Sequence, residues 1–516
     1  MYELIMTNIV SYILVVAVVT WWGWRILEWI WFKPKRMENH LRTQGFKGNP
    51  YRVLFGDLKD CNAITKQNRT NPISISDDIV PRLVPFTHKI INTYGKKTFM
   101  WFGNIPRVHI TEPDLMKEVL SKNFNYIKPK TNPFIKLLID GLSNHEHDQW
   151  IKHRKIINPV FRMERIKLMV PAFHVSCLEM ISAWEKELKV SKEVDVWPYL
   201  YKLTADVISR AAFGSSYEEG RKIFQLLTLQ ANIVIPLLNE LYIPGWRFLP
   251  TKRNMRMKKI AKQLEHLLIN VINKRVHALK NGEKNNQDLL TILLESNFNG
   301  KQDGKLMVMT MNEVIQECKL FYFAGQETTA TLLLWTMVLL AQHQEWQHRA
   351  REEVCNEFGK EGKPNFDGLN RLKIVTMIIN EVLRLYPPVA ELTRITAKDM
   401  KLGESLHLQA GTTISLPIVL FHHDKEMWGD DAKEFKPERF ANGISNATKC
   451  PVSYFPFSCG PRVCIGQNFT LVEAKMVVTM ILQRFSFELS PTYAHAPCPV
   501  ATTQPQFGAP LIMRQL

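Results

Sequence analysis

Between Phe457 and Gly466 the chain reads FSCGPRVCIG, a stretch that specifies a bend, one presented thiol and the start of a helix. Pro461, Gly460 and Gly466 interrupt regular structure around Cys464, and the glycines allow close backbone approach to a flat ligand without Cβ clashes. A helix beginning near Gln467 directs its free N–H groups back at the sulfur, which stabilises a thiolate. Arg462, just upstream, offers a charge-assisted partner for an anion. The ordinary reading of one cysteine after a turn is a buried structural thiol. Here Phe457, Gly460, Arg462, Cys464 and Gly466 occur together at a fixed spacing, which an isolated structural thiol does not call for.

That spacing, F-x-x-G-x-R-x-C-x-G, resembles the cysteine loop of the cytochrome P-450 superfamily of haem-thiolate monooxygenases. The resemblance implies haem b with its iron held by the Cys464 thiolate, an axial ligand that pushes electron density onto iron. Phe457, Gly460, Arg462 and Gly466 then belong to the haem-binding loop. It also implies O2 as cosubstrate and electrons from NADPH through a partner, NADPH-cytochrome P-450 reductase.

The rest of the chain is compatible with this reading. Its 516 residues, 46% hydrophobic, suffice for a large core. The eight cysteines are scattered without a C-x-x-C pair, as in a reducing compartment rather than a disulfide scaffold. A formal net charge of +17 raises the question of nucleic acid. Lys and Arg are spread along the chain without a zinc-finger spacing or RNA-binding signature, so no nucleic-acid partner is expected. A basic surface facing anionic lipid or an acidic protein is the better reading.

Residues Leu4 to Trp24 carry no charge and are long enough to cross a bilayer as a helix. Trp21, Trp22 and Trp24 stand where an aromatic belt lies, and Arg25, Lys33, Lys35 and Arg36 follow. A cleavable signal peptide would carry its basic residues before a shorter apolar core. The expectation is a single-pass endoplasmic reticulum anchor over 4–24, with the amino terminus in the lumen and the catalytic domain facing the cytosol. Residues 25–50 read as a basic hinge in which Pro34 limits helix continuation; residues 51–516 form the haem-thiolate domain. Thr98–Phe102 and Arg107–Thr111 read as a hairpin joined through Gly103 to Pro106. Helices are expected over Glu164–Lys189, Lys258–Lys280, Met311–His343, Ile374–Leu385 and Gln467–Arg484. The fold class is mainly α with small β-sheets, the cytochrome P-450 fold preceded by an N-terminal transmembrane helix. Ile233 to Pro250, apolar with prolines and Trp246, reads as a second lipid contact. A polar loop over 297–304 precedes the long central helix.

Within that helix the chain reads AGQETT from Ala324 to Thr329. A glycine in a buried helix costs stability; at Gly325 it is expected to let the helix pass over the haem and leave room for oxygen. Read alone, the segment is a helix with a polar edge and a back-bonded threonine. Beside the cysteine loop it resembles the A-G-x-[DE]-T of oxygen-activating family members, which implies a proton relay of Glu327 and Thr328. Glu381 and Arg384, in E-x-x-R, with Arg439 in PERF, match the family's structural Glu-Arg-Arg network. Trp150 and Arg154, in W-x-x-x-R, and Arg394 match residues that hold haem propionates.

The family's cavity positions fall at Pro133, Phe134, Leu142, Phe323, Ala324 and Val389. Polar residues occur among them: His145 and His147, the latter where relatives often have glycine, and Glu391. His145 and His147 lack further ligands at metal-binding spacing, and one or the other is expected to meet a polar substrate group, while Glu391 either lines the cavity or is salt-bridged away from it. The segments PKRME from Pro34, QGFKGNPY from Gln44 and ECKLFYFAGQET from Glu317 resemble the plant clan 72, many of whose members oxidise terpenoids. The expected substrate is a hydrophobic or amphipathic small molecule, possible candidates being an iridoid of the secologanin route or a triterpenoid or steroidal scaffold. A membrane-anchored haem sensor or electron-transfer protein is the rival class; it would lack the acid–alcohol pair or carry a second fixed axial ligand.

Overall fold

The computed structural model describes residues 2–129, 132–243, 245–282, 288–299, 301–302, 305–306 and 308–516. Pro244 and Gly300, Asp303 and Gly304 of the expected polar loop lie outside the described residues.

The fold is built on the helix Met311–Gln342, which is apolar almost all round and correspondingly buried almost all round. Its start is fixed by a capping box: Thr310 Oγ1 accepts from the Glu313 N–H, and the Glu313 carboxylate accepts from the Thr310 N–H at 2.8 Å. Helix Val196–Phe213 runs along it, and Ile374–Leu385 and Gln467–Arg484 pack on other sides. Thr329 Oγ1 meets Thr470 Oγ1 at 3.4 Å, setting the central helix against the helix that follows the cysteine loop.

A second core lies beside a five-stranded sheet in the order Thr98–Phe102, Ile105–His109, Thr413–Leu416, Leu392–Thr396, Tyr126–Ile127. The pairing of Ile105–His109 with Thr413–Leu416 is parallel and the others are antiparallel. The hairpin is tighter than expected, because Phe102 pairs with Ile105 across Gly103 and Asn104. Gly103, at φ +63°, supplies the left-handed residue this turn needs.

The amino-terminal helix runs over Tyr2–Leu27 and continues through a π-helical turn, Glu28–Phe32, into helix Lys33–Thr43. Pro34 therefore does not stop the helix within the expected hinge. It stands in the first turn of Lys33–Thr43, and the widened turn before it absorbs the missing donor. One face of Lys33–Thr43 is buried, with Met37 and Leu41 in contact with the globule. By contrast, Ile9, Ile13, Val15 and Trp22 are all exposed, and none of the apolar window of the candidate span is buried in the protein. Such a surface matches a bilayer environment.

Asn104 Nδ2 donates to the Trp29 carbonyl at 3.0 Å, and the Leu241 side chain abuts Gly103. The anchor base, the hairpin tip and the segment after Leu241 thus share one side of the molecule. On that segment Ile243, Trp246, Phe248 and Leu249 are exposed.

Candidate functional site

Cys464 is fixed by its own backbone, whose N–H donates to the Phe457 carbonyl at 2.9 Å. Its residue surface is open, yet it lies deep in the protein, so the open side faces an internal cleft. Burial pushes the thiol pKa up, and the Gly466 N–H with the charges of Arg154 and Lys128 pulls the other way. Gly460 makes the expected bend and meets a further constraint. At φ +71° it lies against helix Pro113–Ser121, where a Cβ would sit 2.5 Å from the Leu120 carbonyl. Gly466 is the glycine that borders the sulfur, its Cβ position 4.0 Å from Cys464 Sγ.

Around the cleft the expected cations converge. Arg154 Nη1 donates to the Val463 carbonyl at 2.9 Å, tying helix His147–Ile157 to the cysteine loop. Arg462 stacks its guanidinium 4.3 Å from the Trp150 ring centre and donates to Glu146 at 2.6 Å and the His145 carbonyl at 2.8 Å. Arg394 is buried and donates to the Thr393 carbonyl; burial, with Arg462 nearby, lowers its pKa to about 10. Lys128, absent from the sequence reading, joins them. Burial, with Arg394 and Arg462, lowers its pKa to about 7. Among the described residues Glu146 is the one carboxylate ion-paired to this group. Buried and half-buried cations in excess of carboxylates favour an anionic ligand, and a thiol beside them fits an iron porphyrin with its propionates. Lys128 carries no motif of its own, and only the folded chain reveals it.

On the central helix, Phe323, Ala324 and Thr328 are partly open while Glu327 is buried. Thr328 Oγ1 donates to the Ala324 carbonyl at 2.9 Å. Glu327 turns to the neighbouring face, where Tyr201 donates to its Oε2 at 2.8 Å and Thr502 to its Oε1 at 3.0 Å, with Gln504 Nε2 also donating to Oε1. Burial raises the Glu327 pKa, and these three donors oppose it. Gly325 corrects the expectation placed on it: a Cβ there would lie 2.8 Å from Ile208 Cγ1, so the missing side chain serves the packing of helix Val196–Phe213. Tyr201, Thr502 and Gln504 were not foreseen, being isolated polar residues far from Glu327 in sequence.

Glu381 and Arg384, both fully buried, form a fork-to-fork pair with N–O distances of 2.7 Å. Arg384 also donates to the carbonyls of His422, Ala432 and Glu434. Arg439 Nε stands 3.5 Å from Glu381, and its Nη1 pairs with Asp431 at 2.8 Å.

Among the cavity candidates, Phe134 and Leu142 are buried and Pro133 and Val389 partly so. Phe134 meets Tyr242 edge-on at 6.2 Å, joining the loop after Lys128 to the exposed apolar segment. The polar candidates have other partners. His147 stacks on the exposed Phe124 ring at 5.9 Å, at the surface. His145 packs edge-on against His153 at 4.4 Å. Glu391 accepts from Ser415 and lies 3.6 Å from Arg107, the salt-bridged arrangement.

The profile of the cytochrome P-450 family matches residues 82–507. The chain is 54% identical over 499 residues to cytochrome P-450 72A397 of Kalopanax septemlobus, covering 96% of each chain. It is 53% identical to cytochrome P-450 72A15 of Arabidopsis thaliana, covering 97% of this chain and 98% of the relative. It is 52% identical to secologanin synthase 1 of Catharanthus roseus, covering 97% and 96%. With a thiol at an internal cleft, a cationic cradle beside it and an acid–alcohol pair on the central helix, this chain belongs to the cytochrome P-450 family and is a monooxygenase of the haem-thiolate type.

Proposed function

We propose that this monooxygenase oxidises a plant terpenoid, that Cys464 is its haem ligand, and that an iridoid related to secologanin is the first substrate to test. The observation that carries the site reading is the group of Lys128, Arg154, Arg394 and Arg462, Arg394 buried and the others half-buried, set around Cys464 with one paired carboxylate. These cations would hold the propionates of a bound haem, and Trp150 is positioned by its stack on Arg462. Bound haem supplies the oxidising chemistry, with O2 as cosubstrate and electrons from NADPH. Thr328 presents its hydroxyl from the open face of the central helix, and Glu327 stands one residue away as the carboxyl of the relay, its pKa raised by burial against three opposing donors. Phe134, Leu142, Phe323, Ala324 and Val389 shape the apolar wall that chooses the carbon.

The choice of iridoid rests on the 52% identity to secologanin synthases 1 and 2 of Catharanthus roseus. It no longer draws on His147 or Glu391, whose side chains are engaged elsewhere. A triterpenoid or steroidal scaffold is the second reading. The anchor helix and the exposed Ile243–Leu249 side support attachment to the endoplasmic reticulum, with the globule in the cytosol, where NADPH-cytochrome P-450 reductase is the electron donor.

The test is product analysis with microsomes carrying the protein and a plant reductase, offered iridoid acids and glycosides beside triterpenoid and steroidal scaffolds. NADPH-dependent oxidation of an iridoid supports the first reading. Oxidation confined to the larger scaffolds replaces it with the second.

A further inference from the structure

His145, His153 and Glu317 bring their ligand atoms within 4.8 Å of one another. They come from three places: the loop after Gly141, helix His147–Ile157 and the central helix. Two atoms at this meeting point are buried without a hydrogen-bond partner, His145 Nε2 and Glu317 Oε2. A fully buried carboxylate oxygen and an imidazole nitrogen left bare beside each other are costly unless something joins them.

The surroundings hold these groups as an outer shell holds metal ligands. Glu317 Oε1 accepts from the Leu142 N–H at 2.7 Å, which orients the carboxylate. His153 Nδ1 lies 2.5 Å from Glu317 Oε1, and its Nε2 lies 3.2 Å from Glu313 Oε1. A carboxylate behind a histidine fixes the tautomer that offers the other nitrogen to a metal. Glu313 is anchored in turn by Lys152 at 2.9 Å and by the Thr310 N–H. Gly141, at φ +93°, completes the cradle; a Cβ there would lie 2.9 Å from the Glu317 carboxyl carbon.

We propose that His145, His153 and Glu317 form a divalent-metal site of the zinc type, with two imidazoles and one carboxylate as ligands and a fourth position for water. On binding, the metal takes His145 Nε2, His153 Nδ1 and a Glu317 oxygen, and the proton shared by His153 and Glu317 leaves to solvent. No oxidation or reduction is involved. Two nitrogens and an oxygen suit zinc in preference to calcium or magnesium. The site pins the loop carrying Leu142 and the helix carrying Trp150 and Arg154 to the central helix. Without metal, the same contacts reduce to His153 hydrogen-bonded between Glu313 and Glu317.

The test uses the full-length, haem-loaded protein in detergent, stripped with a chelator and equilibrated with zinc chloride against a chromophoric zinc indicator. Wild type is expected to retain stoichiometric zinc per haem and to unfold at higher temperature with zinc present. His145→Ala, a half-buried position, is expected to lose both effects while keeping the carbon monoxide spectrum of the folded protein. Glu313→Gln is expected to weaken zinc binding about 10- to 100-fold. X-ray absorption at the zinc edge of wild type, independent of any variant's folding, should show nitrogen and oxygen neighbours. Zinc bound equally by His145→Ala, sulfur among the neighbours, or no zinc retained by wild type would each overturn the proposal and leave a hydrogen-bonded cluster alone.

Discussion

The hydroxyl of Tyr201 donates to Glu327 Oε2 at 2.8 Å, joining helix Val196–Phe213 to the acid of the central helix. Thr502 and Gln504 hold the other oxygen, so the carboxyl is constrained on a face adjacent to Thr328 rather than on the same one. Glu327→Gln keeps the shape and removes the titratable carboxyl. It is expected to lower product formation about 100-fold, with more NADPH consumed per product, while the carbon monoxide spectrum stays normal. Tyr201→Phe should have the same kind of effect to a lesser degree. Unchanged coupling in Glu327→Gln, with only a stability shift, would make the carboxyl structural.

Gly325 is set by Ile208. Gly325→Ala forces a methyl into the Ile208 side chain, and overpacking of this kind costs about 1–3 kcal/mol. Thermal unfolding should show that loss, and adding Ile208→Ala should recover part of it. If the double variant is no more stable than Gly325→Ala, the glycine is required for something other than this contact.

Arg384 is fully buried and satisfied by Glu381 and three carbonyls. Arg384→Ala leaves the Glu381 charge without its principal partner, a change worth about 3–5 kcal/mol. The expected outcome is protein that expresses poorly and incorporates little haem, measured by the haem-to-protein absorbance ratio. Full haem incorporation would show that Arg439 and the Lys436 N–H, 2.9 Å from Glu381 Oε1, suffice.

Acid sensitivity follows from Asp431. Hydrogen bonds from Lys436 and Arg439 lower its pKa to about 2, against about 3.9 for an unfolded aspartate. Its stabilising contribution is therefore complete above the unfolded value and is lost as pH falls toward the folded one. Between pH 5 and pH 3 wild type should lose more stability than Asp431→Asn, read as unfolding temperature against pH. Parallel curves would remove Asp431 from the account.

The elements whose signals are local were legible in the sequence. Ile374–Leu385 and Gln467–Arg484 have the expected ends because apolar periodicity and flanking breakers coincide there. Helix Lys252–Lys280 begins six residues before the expected Lys258, since Thr251 caps it and accepts from the Asn254 N–H at 3.1 Å. Its opening run of Lys and Arg obscured the apolar face. Of the proposed site residues, Cys464 and Arg462 were marked by spacing together with resemblance, and Trp150, Arg154 and Arg394 by resemblance. Lys128, Tyr201, Thr502 and Gln504 were not, because their roles arise from contacts between segments far apart in the chain. Gly325 was seen as unusual but explained by the wrong neighbour, for the same reason.

The central claim is that Cys464 is the haem ligand. The most direct measurement is the spectrum of reduced protein under carbon monoxide for Cys464→Ser, with Cys459→Ser as the matched variant five residues upstream. The account predicts that Cys464→Ser loses the red-shifted thiolate band and all turnover, and that Cys459→Ser keeps both. A thiolate band that persists in Cys464→Ser would contradict it.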